Sequence, residues 1–243
     1  MTAGPLVESA VDVAALTERI VERLIGVLRR AQEEDRIPVL VLTGGSMGKA
    51  SLAGIAAHPD RDLVDWRRVR LLWGDERWLP SGHAERNDRL ADDLLLGTVE
   101  FDPALVHRVA ASDAGLSLDE AAAAYAELLA GLDRIDLALN GVGPDGHLCS
   151  LFPGRDDLLR DDDSQPLAIA VRESPKPPAE RVSLSFRALD RVDHLWLLAA
   201  GAEKAPAIAR VRSADDPEPL PAGRARGRLE TVLWADEAAL GRN

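Results

Sequence analysis

The run Ile37-Pro38-Val39-Leu40-Val41-Leu42 shows no polar alternation and stops abruptly at Thr43-Gly44-Gly45-Ser46. A strand with one wet face alternates apolar and polar residues. An unbroken, β-branched run must be covered on both faces, which is the situation of a central strand in a parallel sheet. Parallel strands cannot be joined by tight turns, so each needs a crossover, normally a helix. The remaining sequence supplies these. Residues 8–34 place Val11, Leu16, Ile20, Leu24 and Leu28 at helical spacing with charges between them. Further helices are predicted at 48–57, 86–96, 117–132 and 203–212. Further strands are predicted at 69–74, 106–110, 135–142, 167–171, 181–186, 194–200 and 230–235. The alternation predicts an α/β fold, a mostly parallel sheet with helices on both faces. The charged stretch 153–166 and the Pro-, Gly- and Arg-bearing stretch 213–228 read as surface loops rather than linkers, and no repeat is present. Residues 1–243 are therefore read as one domain.

Charge narrows the partners. The chain carries 29 basic and 41 acidic residues, a formal net charge of −12. No sequence-independent attraction to nucleic acid or to an anionic membrane is available to it. One small anion can still be held by a few placed cations and backbone N–H groups. The lone cysteine, Cys149, excludes an intrachain disulfide and a cysteine-based zinc cage. The opening MTAGPLVESA has neither a basic nor an apolar leader region, and no run approaches the length of a membrane span. A cytoplasmic protein is expected. The sequence sets no oligomeric state, and a monomer is compatible with it.

In open α/β sheets ligands bind beyond the carboxyl ends of the strands, where the strand order reverses. Polar residues just after each strand are therefore the candidates. Gly44, Gly45 and Ser46 follow the first central run and can bring backbone N–H groups to an anion, although a tight turn alone explains them equally well. This is no nucleotide P-loop: only three residues separate Gly44 from Gly48, and Ala50 follows Lys49. Gly74-Asp75-Glu76-Arg77 crowds two acids and an arginine at the next strand exit, and Asn87 lies at the start of the following helix as a cap or a ligand contact. Asn140-Gly141-Val142-Gly143-Pro144-Asp145-Gly146-His147 is the sharpest feature. It sets a carboxylate two residues from a histidine in a glycine loop, and histidine is the side chain suited to general base work near neutral pH. Arg181 follows a proline-stiffened segment, Ser174-Pro175-Lys176-Pro177-Pro178. Lys204 opens a helix, where a cation opposes the helix dipole. Cys149 sits among apolar residues and reads as a buried thiol rather than a nucleophile.

Taken together, TGGS (43–46), WGDER (73–77) with Asn87, NGVGPDGHLCSLFPG (140–154), SPKPPAERVSLS (174–185) and GAEKA (201–205) resemble the 6-phosphogluconolactonase family through nearly the whole chain. The resemblance implies a modified Rossmann-like domain shared with sugar-phosphate isomerases. It implies hydrolysis of 6-phosphogluconolactone, a phosphorylated sugar lactone, to 6-phosphogluconate in the oxidative pentose phosphate pathway, with no cofactor and no metal. Carried over by position, His147 would activate water, and either Asp145 or Asp75 would orient it. Gly44, Gly45, Ser46, Asn87, Arg77, Arg181 and Lys204 would bind the substrate and its phosphate. The family commonly continues the glycine loop with Thr-Pro, where this chain has Met47-Gly48; that removes a hydroxyl at position 47.

Two other readings remain open at this level. A glucosamine-6-phosphate deaminase or isomerase shares the glycine loop and the DGH segment. It characteristically carries a glutamate soon after the histidine, where this chain has Leu148-Cys149-Ser150-Leu151-Phe152-Pro153. A non-catalytic sugar-phosphate sensor would keep the cations and have no need of the base.

Overall fold

The computed structural model describes residues 4–160, 162–213 and 216–242. In chain order the elements are β1 (Leu6–Ala10), α1 (Val13–Glu33), β2 (Val39–Leu42), α2 (Gly45–Ala57), β3 (Arg70–Trp73) and β4 (Asp75–Arg77). Then come α3 (Asn87–Ala91), α4 (Leu118–Ala130), β5 (Ile135–Gly141), β6 (Ala168–Val171) and β7 (Arg181–Leu184). The chain ends with α5 (Phe186–Leu189), β8 (Val192–Ala199), α6 (Ala205–Arg212), α7 (Pro221–Arg224) and β9 (Glu230–Asp236).

Six strands form a parallel sheet in the order β1-β9-β8-β5-β2-β3. Both faces are covered, and the central strands divide their side chains between them. Val39 and Val41 of β2 join one apolar cluster with α4, while Leu40 and Leu42 join the other with α1 and α2. The unbroken apolar run thus has the cause inferred for it. Among the described residues no helix is long and apolar enough to cross a membrane.

The strands β4, β7 and β6 form a separate antiparallel sheet. Only β6 is wholly apolar; β7 reads Arg-Val-Ser-Leu and β4 is the charged run Asp75–Arg77, so pattern alone does not reveal that the three pair with one another. Gly74 joins the two sheets: its N–H donates to Leu42 O (2.9 Å) and its carbonyl accepts from Leu184 N (2.8 Å).

Four local expectations change. The strand expected at 106–110 is a single bridge, Val106 to Leu71, behind a helical turn at Pro103–Leu105. Residues expected to open the first helix are instead the edge strand β1, and α1 starts where the Asp12 side chain accepts the Ala15 N–H at 2.9 Å. α2 begins at Gly45, not near residue 48. The helix expected at 86–96 is α3 followed by a π-helical turn, Asp92–Leu96.

At the β3 edge the outward backbone groups of Trp73 have no strand to pair with. The Tyr125 hydroxyl of α4 replaces one, accepting from Trp73 N at 2.8 Å and donating to Trp73 O at 3.0 Å. Tyr125→Phe leaves both groups buried without a partner and should destabilise the fold by about 2 kcal/mol in urea denaturation. An unchanged midpoint would remove the hydroxyl from this role.

Candidate active site

β2 pairs with β3 on one side and β5 on the other, so the strand order reverses at β2. The chain leaves β2 and β5 in opposite directions and opens a crevice beyond their carboxyl ends. Thr43 spans it, its Oγ1 accepting from Gly141 N at 3.2 Å. A cleft of about 180 Å³ lies there. Nine of the ten residues selected from sequence line it: Gly44, Gly45, Ser46, Asp75, Arg77, Asn87, His147, Arg181 and Lys204. The tenth, Asp145, stands against the His147 ring. Lys176 also lines the cleft and was not among them; its signal lay in the proline segment before Arg181.

The loop after β5 is closed on itself. Gly143 N donates to His147 O and Gly146 N to Gly143 O, both at 2.9 Å. Gly146 has φ +81°, a left-handed conformation suited to glycine. Gly143 is required for a different reason: a Cβ there would lie 2.0 Å from His147 Nδ1 and 2.5 Å from Asp145 Oδ1. The imidazole therefore rests against bare backbone, with the Phe152 ring 4.8 Å away.

His147 Nδ1 lies 2.5 Å from Asp145 Oδ1 and 3.2 Å from Lys176 Nζ. The closer partner, the Asp145 carboxylate, can only accept, so Nδ1 is taken as the protonated nitrogen that donates to it, and Nε2 keeps the free lone pair. Burial pushes the Asp145 carboxyl upward, but the His147 hydrogen bond and the charges of His147 and Lys176 outweigh it and hold it well below the usual carboxylate range. Asp75, the other acid left open by sequence, has different partners. Its Oδ2 accepts from Ser150 Oγ at 2.6 Å and lies 3.6 Å from Arg181 Nη1, and its carbonyl accepts from Asn87 Nδ2 at 2.8 Å.

The cations are not equivalent. Arg181 is buried, and its Nε and Nη2 donate to the carbonyls of Pro178, Lys176 and Pro177 at 3.0–3.2 Å. The guanidinium thus braces the segment that carries Lys176. Burial lowers its pKa, and Asp75 opposes that. Arg77 differs: its Nε is buried at the cleft with no hydrogen-bond partner among the described residues. Lys204 ends a helical turn, Ala202–Lys204, and opens α6. Burial and then the nearby Lys176 charge push its ammonium below the ordinary lysine value.

The N-terminus of α2 faces the cleft with Gly44 as a cap that offers no side-chain acceptor. Its first amides are the kind of group that receives an anion. At position 47, where a hydroxyl is lost, the Met47 side chain packs into the apolar cluster below α1 and α2. Cys149 is buried with Sγ donating to Asn140 Oδ1 at 3.3 Å. Burial, aided by the Asp75 charge, pushes its thiol well above the ordinary value, which disfavours the thiolate a nucleophile needs. Among the described residues no group of three or more His, Cys, Asp or Glu is placed to hold a metal ion.

A buried charge cluster supports this site from behind. All five N–H donors of Arg86 are engaged: two by Asp88 and the others by the carbonyls of Arg77, Leu79 and Val109. Glu76 lies beside it, 3.9 Å from Arg86 Nη2. Burial pushes its carboxyl up to about 7, with Arg86 pulling the other way. In the sequence these residues look like an ordinary solvated charge run.

Comparison with known proteins places the sequence and the fold. The family model described as glucosamine-6-phosphate isomerases/6-phosphogluconolactonase matches residues 11–234. A 6-phosphogluconolactonase of Streptomyces coelicolor is 41% identical over 239 residues, covering 94% of this chain and 90% of its own. One from Mycobacterium tuberculosis is 38% identical, with 90% of each chain covered. The crystal structure of 6-phosphogluconolactonase from Thermotoga maritima superposes with a TM-score of 0.82 at 27% identity, covering 96% of this chain and 99% of that one. A monomeric glucosamine-6-phosphate deaminase shares the fold at TM-score 0.81 and 16% identity, with 98% and 100% covered. Matched by the family model over nearly its whole length and by relatives at 38–41% identity, the chain belongs to the glucosamine-6-phosphate isomerase/6-phosphogluconolactonase family.

Proposed function

We propose that this chain hydrolyses 6-phosphogluconolactone to 6-phosphogluconate, with His147 as the base. The observation that carries the reading is the His147–Asp145 pair, whose free imidazole nitrogen belongs to a cleft walled by cations. The name shared by the relatives at 37–41% identity supports the same substrate.

A lactone is an ester whose leaving group stays tethered, so water and one base suffice. His147 Nε2 takes a proton from water as its oxygen bonds to the lactone carbonyl carbon. Asp145, held ionised, stabilises the imidazolium that forms. The bond from the carbonyl carbon to the ring oxygen then breaks, and His147 returns the proton to that oxygen. The product carboxylic acid ionises in water. Arg77, Lys176, Lys204 and the N-terminus of α2 supply the positive field for the phosphate and for the carbonyl oxygen as it gains charge. Arg181 contributes by bracing the segment that bears Lys176.

Ring opening and enolisation, as in an aldose–ketose isomerase, need a further acid/base group. Leu148, Leu151 and Phe152, in the stretch where the isomerase pattern has its glutamate, are apolar and buried. A sensor would have no use for a carboxylate-oriented histidine.

Purified protein should accelerate 6-phosphogluconolactone hydrolysis above the spontaneous rate with a chelator present, and His147→Ala should lower kcat by about 100-fold or more. Full activity in that variant would reject His147 as the base. Gly143→Ala should cause a loss of similar order with the far-UV circular dichroism unchanged, because the new Cβ displaces the imidazole. Lys204→Ala should raise KM for the phosphorylated lactone and leave kcat and the turnover of the unphosphorylated lactone nearly as they were. Equal effects on both lactones would separate Lys204 from the phosphate.

A further inference from the structure

Asp75, Glu76 and Arg77 are consecutive in β4, so their side chains alternate between faces. Asp75 and Arg77 line the cleft, whereas Glu76 is turned into the protein and is 1% exposed. Its carboxylate is fully used. Oε1 accepts the N–H groups of Arg77 and Asn87, both at 2.7 Å, and Oε2 accepts the N–H of Asp88 at 2.8 Å. One side chain thereby ties β4 to the start of α3, whose capping residue Arg86 offers no side-chain acceptor. The consequence reaches the cleft through Asn87. With its backbone pinned, the Asn87 amide donates to Asp75 O at 2.8 Å, and its Oδ1 lies so near Gly44 that a Cβ there would be 2.0 Å away. The wall between the glycine loop and β4 is therefore set from the buried side.

We propose that Glu76 is a positioning residue: its carboxylate holds Asn87 against Gly44 and Asp75, and so fixes the substrate-binding geometry of the cleft. A neutral side chain of the same shape cannot replace it. Glutamine keeps one acceptor oxygen but turns an NH₂ group towards either the Asp88 N–H or the Arg77 and Asn87 N–H groups, leaving donor facing donor. The kinetic part of this proposal rests on the lactonase reading; the positional part does not.

The test is a double-variant cycle with Glu76→Gln, Asn87→Ala and both together, run well below the melting temperature of each protein. On 6-phosphogluconolactone, Glu76→Gln should raise KM about tenfold while kcat changes far less, as expected for the loss of one buried hydrogen bond that acts on binding. The double variant should be no worse than the more impaired single variant, because Glu76 acts through Asn87. Lower thermal stability with unchanged KM, or effects that multiply, would overturn the proposal. Proton exchange of the Asn87 side-chain amide, followed by NMR without ligand, is independent of activity. It should be slow in the wild type and fast in Glu76→Gln, and equal rates would reject the positional role even if the lactonase reading holds. If only the kinetics are silent because the lactone is not a substrate, the NMR result still decides. Should Glu76→Gln not fold, Glu76→Asp retains the charge at a shorter reach and is read by the same exchange measurement.

Discussion

The parallel pairing of β2 with β5 is the constraint from which the rest follows. Parallel hydrogen bonding sends both chains out of the sheet at the same edge. The reversal of strand order at β2 then forces their exits apart. Every group in the proposed chemistry occupies the space so created: the amides of the α2 N-terminus on one side, the His147 loop on the other. The hydrogen bond from Gly141 to Thr43 Oγ1 keeps that gap at a set width. Helices covering both faces make the sheet stiff, and a stiff sheet lets two loops far apart in sequence be placed against each other with little slack.

The second, antiparallel sheet has a different task. It brings β4 and β7 to the cleft, and with them Asp75, Arg77 and Arg181. Its attachment runs through Gly74 and through the buried cluster of Arg86, Asp88 and Glu76. Burying such charges removes them from water at a cost that their mutual attraction offsets only in part. Their use here is better understood as geometric. Guanidinium and carboxylate groups satisfy many backbone donors and acceptors at once, in fixed directions. A loop of irregular backbone needs that service, because it has no strand partner of its own.

Much of this was legible in the sequence. The apolar run of β2 declared a doubly covered strand, and the residues after the strands declared the cleft, because strand ends are a local property of the chain. The pairing of β4, β6 and β7 was not legible. The charged β4 does not read as a strand at all, and β6 and β7 record that they are buried, not which neighbour each has or in which direction that neighbour runs. The short apolar stretch at 106–110 had strand composition but only one bonded neighbour, at Leu71. The choice between Asp145 and Asp75 depended on loop curvature, which spacing does not encode. Arg181 shows the same limit: its position was found, but its N–H groups are directed to its own chain by the turn at 176–178. Glu76 and Arg86 were missed because a buried ionic cluster and a solvated one are written with the same letters.

The two bare-backbone contacts differ in how far they allow this sequence to drift. At Gly44 the obstacle to a side chain is Asn87, an amide that can itself be exchanged for something smaller. Those two positions are coupled, so a side chain at one is admitted only by a smaller group at the other. At Gly143 the obstacle is the His147 ring together with its carboxylate. That partner cannot shrink without losing the base. Every other amino acid carries a Cβ, so no graded series of replacements leads away from glycine there. The position is a dead end for neutral variation, with one permitted residue and no neighbours in sequence space.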